Sequence, residues 1–229
     1  MYHFIKLVTL FLFYSIASPA QDIETILEKA RIKINQVNDY QASGKMKTNV
    51  AFLKVPVANI TVYFKKPNKL KLKSEKGVSF IPKGAVSINM NSLLESDRFT
   101  IIDAGTEKIN NVMMRVAKLL PLDDNSDVVL STVYIDPSNF VICKAKTTTR
   151  ENGTYELVMT YGKYIAYGLP DRIVFSFNTR DYKLPKGVTF DFDDGSEKKK
   201  PEDLKNKKGK AEIDFNSYSI NKGVPDNIF

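Results

Sequence analysis

The stretch from Tyr40 to Ser74 constrains this chain more than any other. Tyr40, Ala42, Gly44, Met46, Thr48, Val50 and Phe52 alternate with Gln41, Ser43, Lys45, Lys47 and Asn49. Period two is the mark of a strand with one dry and one wet face. Ala58, Ile60, Val62 and Phe64 repeat the pattern against Asn59, Thr61 and Lys65, and Leu70 and Leu72 stand between Lys69, Lys71 and Lys73. Successive strands sharing one apolar face predict an antiparallel meander. Its turns fall at Lys54–Pro56 and Lys66–Asn68, where proline cannot donate to a ladder. What covers the dry face then decides what the chain can do.

One helix precedes the meander. Ile23, Ile26, Leu27, Ala30, Ile34 and Val37 form a single apolar stripe at helical spacing, which predicts a helix over Asp22–Val37. Asp22 stands at the N-cap, and Glu24 lies where the helix dipole favours an anion. After the meander, Gly77 and Gly84 bracket an irregular piece, Ser87–Met90 and Phe99–Asp103 read as short strands, and Leu93–Ser96 reads as a helical turn. A hairpin is predicted about Asp136-Pro137, from Val128–Tyr134 to Ser138–Thr148, and Asn152-Gly153 turns into Tyr155–Tyr161. Ile173–Phe177, Val188–Phe192 and Ala211–Phe215 complete roughly ten to twelve strands. Residues 108–120 fit two patterns. Ile109, Val112, Met113, Val116 and Leu120 suit a helix face, and Val112, Met114, Val116 and Leu120 suit a strand face broken by Lys118; the local spacing favours helix. Asp193–Lys210 is rich in charge and reads as a solvated hairpin tip, with an acidic partner or an anionic membrane as the functional alternative.

The first residues read as an export signal: Lys6, an apolar run from Leu7 to Ile16, then Ala17-Ser18-Pro19-Ala20 with small residues before Gln21. Cleavage is expected between Ala20 and Gln21. Removing 20 of the 229 residues leaves 209, expected to form one soluble domain over 21–229 with a net charge of +7 rather than +8, since Lys6 is the one charged side chain lost. Cys143, the single cysteine, leaves no internal disulfide; it alternates with Val141 and Ala145 and is expected to be a small buried side chain. Export to a bacterial cell envelope, the periplasm, fits this usage.

Catalytic chemistry has little to stand on. His3 is the only histidine and lies inside the export signal, so the mature chain holds no Ser-His-Asp or Cys-His system and no His-ligated metal. One cysteine cannot build a thiolate zinc site, and no phosphate-binding or dinucleotide-binding glycine motif is present. Asp191, Asp193 and Asp194 resemble part of a calcium loop, but Gly195 comes too early and no suitably placed Glu closes it. Nucleic acid finds no arginine cluster. The chain therefore reads as a non-enzyme without cofactor or metal.

Geometry narrows what remains. A helix is about 10 Å wide and strands lie about 4.8 Å apart, so one helix covers roughly two or three strands. The apolar face beyond it is expected to be closed by the sheet's own curl, by short helices or by a ligand, since exposed apolar surface costs about 25 cal/mol per Å². A helix after an exported start, the Tyr40–Leu72 meander with Lys66-Pro67-Asn68-Lys69-Leu70-Lys71-Leu72, and Gly105-Thr106-Glu107-Lys108-Ile109-Asn110-Asn111-Val112 together resemble the LolA/LolB-like outer-membrane lipoprotein carrier and sorting family. Tyr134-Ile135-Asp136, Phe140–Lys146, Leu169-Pro170-Asp171-Arg172-Ile173 and the terminal Ser217–Asp226 are similar in kind, so the likeness covers most of the chain.

That resemblance implies an α+β, mostly antiparallel fold: a strongly curved half-open β-barrel with an N-terminal helix and short helices lidding a hydrophobic cavity. It implies that Val112–Leu119 is a strand, against the local spacing, and that Asn111 stands where glycine is usual. It also implies a monomeric periplasmic carrier that shields acyl chains of lipoproteins or other lipids in transit towards the outer membrane. Its transfer partners would be an inner-membrane release complex or an outer-membrane acceptor. Candidate cavity residues are Met46, Val50, Phe52, Ile60, Val62, Phe64, Leu70, Leu72, Phe175 and Phe177. The competing readings are a non-catalytic envelope sensor or interaction module on the same scaffold, and a hydrolase working through carboxylates alone.

Overall fold

The computed structural model describes residues 22–50, 53–54, 57–74, 98–151, 153–178 and 208–229, with the side chains of Val50, Leu53, Lys54 and Lys208 outside the description. The export signal with Ala20 and Gln21, the segments at 77–96 and 188–192, Phe52 and the charged residues 193–207 lie outside the described residues.

The helix α1 runs Ile23–Asn35. Its predicted stripe is the buried one: Ile23, Ile26, Leu27 and Ala30 are all buried. Asp22 occupies the N-cap but makes no side-chain capping bond, and the helix stops short of Val37, which is buried beyond its end. Eleven strands follow: β1 Asp39–Val50, β2 Leu53–Lys54, β3 Ala58–Lys65, β4 Lys69–Ser74, β5 Phe99–Ile109, β6 Val112–Pro121, β7 Val128–Asp136, β8 Val141–Thr149, β9 Gly153–Thr160, β10 Arg172–Asn178 and β11 Lys208–Ile220. Short 3-10 turns occupy Ile165–Tyr167 and Asp226–Ile228.

All strands join one antiparallel sheet in the order β4-β3-β1-β11-β10-β9-β8-β7-β6-β5, with β2 paired to β1. Most neighbours are hairpin-connected. The exception is β1, which lies between β3 and the last strand β11. The sheet curls without closing, and among the described residues its edges are β4 and β5, consecutive among the described strands but at opposite margins.

Residues 112–121 form a strand, as the resemblance implied and the local spacing did not. The reason is that β6 carries apolar side chains on both faces. Ala117 and Leu119 join the helix-covered cluster, while Val116 pairs with Tyr134 on the opposite face and is also buried. A strand with two dry faces loses its alternation and mimics a helical stripe. The turn before it uses Asn110 and Asn111, both at positive φ (48° and 65°), so asparagine supplies the left-handed pair that a two-residue hairpin needs. β5 runs on to Ile109, well past the expected Asp103, after a register shift at Gly105. β11 begins at Lys208, so the last residues of the charged stretch are ladder and not hairpin tip.

Two bulges alter side-chain parity. In β8, Ile135 pairs with Ile142 while Tyr134 pairs with Lys144, leaving Cys143 as the extra residue. Cys143 is accordingly half-buried, not buried as its neighbours' alternation predicts, and burial pushes its thiol up to about 11. In β11, Ser217 pairs with Ser43 but Phe215 pairs with Gly44. A Cβ on Gly44 would lie 2.5 Å from the Asp214 carbonyl oxygen, so only glycine permits this approach.

The helix-bearing cluster contains residues from six strands, β6 to β11, from Ala117 through Val133, Ala145, Leu157 and Phe175 to Ala211. The cluster is continuous across these strands, and the α1 residues Ile23, Ile26, Leu27 and Ala30 join it. The opposite face is polar across β8 to β11: Lys144 pairs with Glu156 at 3.1 Å, Lys210 with Glu212 at 2.7 Å, and Arg172 with Glu212. Lys65 and Lys69 of β3 and β4 hold Asp226 at 2.9 and 2.8 Å, docking the C-terminal turn on the β4 edge.

Ile26→Ala is expected to cost about 2–5 kcal/mol in urea unfolding. Ile32→Ala, on the exposed side of the same helix (54% exposed against 0%), should stay within about 0.5 kcal/mol. Gly44→Val is expected to destabilise by about 1–3 kcal/mol by the same measurement, since the new side chain must push β11 away. Hydrogen bonds from Lys69 and Lys65 hold the Asp226 carboxyl down at about 2 from 3.8. Its contribution is complete above about pH 4 and is lost as pH falls through about 2, a profile that Asp226→Asn should flatten in a pH series of hydrogen exchange at residues 224–229.

Candidate functional site

The inner face of the sheet, the side on which α1 packs, is defined by cross-strand register. Leu72, Val62, Ala42 and Tyr218 form one row across β4, β3, β1 and β11. Ala58, Met46, Ile213, Ile173 and Met159 form another, continuing into β10 and β9. A further row runs Thr48, Ala211, Phe175, Leu157, Ala145, Val133 and Ala117, so one apolar face extends from β1 to β6.

The face divides into two regions with different cover. The β6–β11 region packs with α1. The second region, on β1, β3, β4 and β11, has Ala42, Met46, Ala58, Ile60 and Val62 buried to 6% exposure or less. The side chains packed on it are Tyr40, Leu70, Leu72, Ile213, Phe215 and Tyr218. Among the described residues every member of this second cluster belongs to the sheet itself. A flat sheet cannot bury its own face; a curled one can bury part of it by bringing its strands around.

One end of this region is closed. Val37, Phe64 and Leu169 form a small buried cluster with Tyr40, Leu70, Tyr164, Tyr218 and Ile220 around it. Tyr40 stacks on Phe64 at 5.3 Å, and Tyr218 meets Tyr40, Phe215 and Tyr164 at 5.4, 5.0 and 4.9 Å. The Tyr218 hydroxyl donates to the Pro170 carbonyl at 2.7 Å. Burial raises the phenols of Tyr40 and Tyr218 far above their usual range, so both stay neutral. Gly168, in the left-handed conformation (φ 65°), lets this loop lie against Ile34 of α1.

The structure places the sequence-derived candidates in three groups. Met46, Ile60, Val62, Leu70 and Leu72 lie together in the sheet-only region. Phe64 stands at its closed end. Phe175 and Phe177 belong to the cluster containing α1, with Phe177 packed over Gly209. The Val50 side chain and Phe52 are outside the described residues.

Sequence reasoning did not bring in β11. Ile213, Phe215 and Tyr218 share the face with Met46, Gly44 and Ala42. The apolar Ile213 and Phe215 signal a strand, but nothing local says that it pairs with β1. Tyr218 is harder still, because the bulge breaks the parity between Phe215 and Tyr218.

Polar groups on the inner face are few. Ser131 and Thr147 satisfy each other at 2.8 Å. Arg115 holds Asp103 at 2.7 Å near the β5 edge. Thr48 is 5% exposed, and its Oγ1 has no hydrogen-bond partner among the described residues. No group of His, Cys, Asp or Glu among the described residues is placed to hold a metal ion, and none of the described helices is long and apolar enough to cross a membrane. The face offers apolar walls and one unpaired hydroxyl, which suits binding an apolar molecule.

No protein-family model and no curated protein sequence matches the chain. Solved structures do. A DUF1329 family protein from Desulfovibrio piger matches with a TM-score of 0.57 at 11% identity, over 91% of this chain and 98% of that one. An outer membrane lipoprotein-sorting protein domain from Vibrio parahaemolyticus matches at 0.53 and 13% identity, over 89% and 94%. A LolA superfamily protein from Nitrosomonas europaea matches at 0.53 and 13%, over 92% and 98%. At these identities the likeness is one of fold, and the chain has the LolA-like fold: a curled, unclosed antiparallel sheet with one helix on its inner face.

Proposed function

We propose that the protein is an exported, non-catalytic carrier that binds the acyl chains of lipoproteins or other lipids on the inner face of β1, β3, β4 and β11. In this reading residues 1–20 direct export, residues 21–229 act as a single monomeric domain in the bacterial periplasm, and the cargo moves towards the outer membrane. The observation that carries the reading is the second apolar cluster: large apolar side chains on one sheet face, with no helix residue among the cluster's described members. The fold shared with a lipoprotein-sorting domain and a LolA superfamily protein supports the same direction.

The chemistry is consistent with cargo of this kind. Acyl chains present no hydrogen-bonding groups, so a wall of Met46, Ala58, Ile60, Val62 and Ile213 can bind them by area and shape alone. Charged groups on these strands face the other way: Lys45 pairs in register with Asp214 and Lys47 with Glu212, between the inward Met46 and Thr48. Neutral tyrosines close one end, so the cargo meets no charge there.

Native mass spectra of the mature protein purified from a bacterial envelope should show adducts of lipid mass that delipidation removes. Ala58→Trp, which fills the face, should weaken uptake of an acyl probe by about tenfold or more, equivalent to about 1.4 kcal/mol. Thr61→Trp, on the opposite face of β3, should leave uptake unchanged with a similar unfolding midpoint. A delipidated wild type that takes up no acyl probe would overturn the carrier reading.

A further inference from the structure

Thr48 combines three properties that do not usually occur together. It lies on the inner face, opposite Ala211 and two residues from Met46. It is buried at 5% exposure. Its hydroxyl has no hydrogen-bond partner among the described residues. A buried hydroxyl without a partner destabilises a fold, and valine has nearly the same shape without that cost. Other buried hydroxyls on the inner face are paired: Ser131 with Thr147 at 2.8 Å, and Thr149 with the Gly153 carbonyl at 3.1 Å. An unpaired hydroxyl facing an apolar wall has a use if the partner arrives with a ligand.

We infer that Thr48 Oγ1 donates a hydrogen bond to the neutral ester or amide carbonyl of an acyl chain seated on the inner face, fixing how deep the chain lies. This rests on the carrier reading above and adds the polar anchor that an apolar wall lacks. The neutrality of the acceptor follows from what surrounds Thr48. Across the face stand Ala211 and, beyond it, Phe175. Among the described side chains of β1 and β11, the nearest charges, Lys47, Glu212 and Lys210, lie at alternate positions on the other side of the sheet, where Lys210 and Glu212 satisfy each other at 2.7 Å. A carboxylate or phosphate placed against Thr48 would have no cation among the described side chains of the inner face to offset its desolvation. A carbonyl needs one donor, and a hydroxyl supplies one.

The test compares methyl palmitate with an alkane of matched length as displacers of Nile red from the delipidated full mature chain. Wild type should prefer the ester by about five- to tenfold, the size of one buried hydrogen bond. Thr48→Val should bind the alkane as wild type does and lose the ester preference, and Thr48→Ser should keep it. Because the hydroxyl has no partner among the described residues, the unfolding midpoint of unliganded Thr48→Val should equal or exceed that of wild type. A Thr48→Val variant that keeps the ester preference, or whose midpoint falls well below wild type, overturns the Thr48 assignment and leaves the carrier reading standing. A wild type that takes up neither Nile red nor the displacers overturns the carrier reading and this inference with it.

Discussion

The ladder between β1 and β11 is the interaction on which the rest of the structure depends. It joins the first strand to the last, from Tyr40 with Ile220 to Asn49 with Lys210. Without it, β1, β3 and β4 would form a separate meander and β5 to β11 another sheet. With it, the inner face becomes continuous. The ladder closes contacts across most of the chain, as in the Ser43–Ser217 hydroxyl pair 174 residues apart, so its formation bears a large loop-closure entropy. Compensation comes from side chains that only this pairing brings together: the Tyr40–Tyr218 edge contact, and Asn221 accepting from the Asn38 backbone at 2.7 Å while donating to the Gln36 carbonyl at 2.8 Å. The end of the helix, the start of β1 and the end of β11 are thereby tied at one point.

This dependence explains what was legible in the sequence. The helix stripe from Ile23 to Ala30 and the alternation of β3 and β9 could be read directly, because each is set by neighbours within a few residues. β6 could not be, since it carries apolar side chains on both faces and its pattern is that of a helix as much as a strand. Cys143 misled for another reason: it sits at a bulge, where one extra residue inverts the face that alternation assigns. Half of the candidate site was visible in Tyr40–Leu72. The other half, Ile213 to Tyr218, needed a pairing that no local pattern encodes.

The two regions of the inner face are built from the same kinds of residue and differ in what lies on them. The first region combines small side chains such as Ala117, Ala145 and Ala211 with large ones such as Leu157 and Phe175, and Ile23, Ile26, Leu27 and Ala30 of α1 join the same cluster. The other region sets the small Ala42 and Gly44 of β1 and Ala58 of β3 beside the larger Met46 and Ile60. Small residues in the middle of a curled sheet lower the floor. Larger side chains at the margins, Leu70 and Leu72 on one side and Phe215 and Tyr218 on the other, raise the walls. In the first region α1 lies within the cluster; in this one every member among the described residues comes from the sheet.

Thr48 gives that difference a direction. A wholly apolar trough would let an acyl chain slide along its length, since dispersion contacts change little with register. One donor at a fixed point breaks that degeneracy, because a carbonyl buried anywhere else on the face would be unpaired. In the carrier reading the aromatic cluster of Tyr40, Phe64 and Tyr218 would stop the acyl chain at one end, and Thr48 stands well along β1 from it. From Tyr40 to Thr48 the strand advances eight residues, about 26 Å at the usual strand rise. An acyl chain whose carbonyl meets Thr48 would therefore extend along β1 towards the neutral rings at Tyr40.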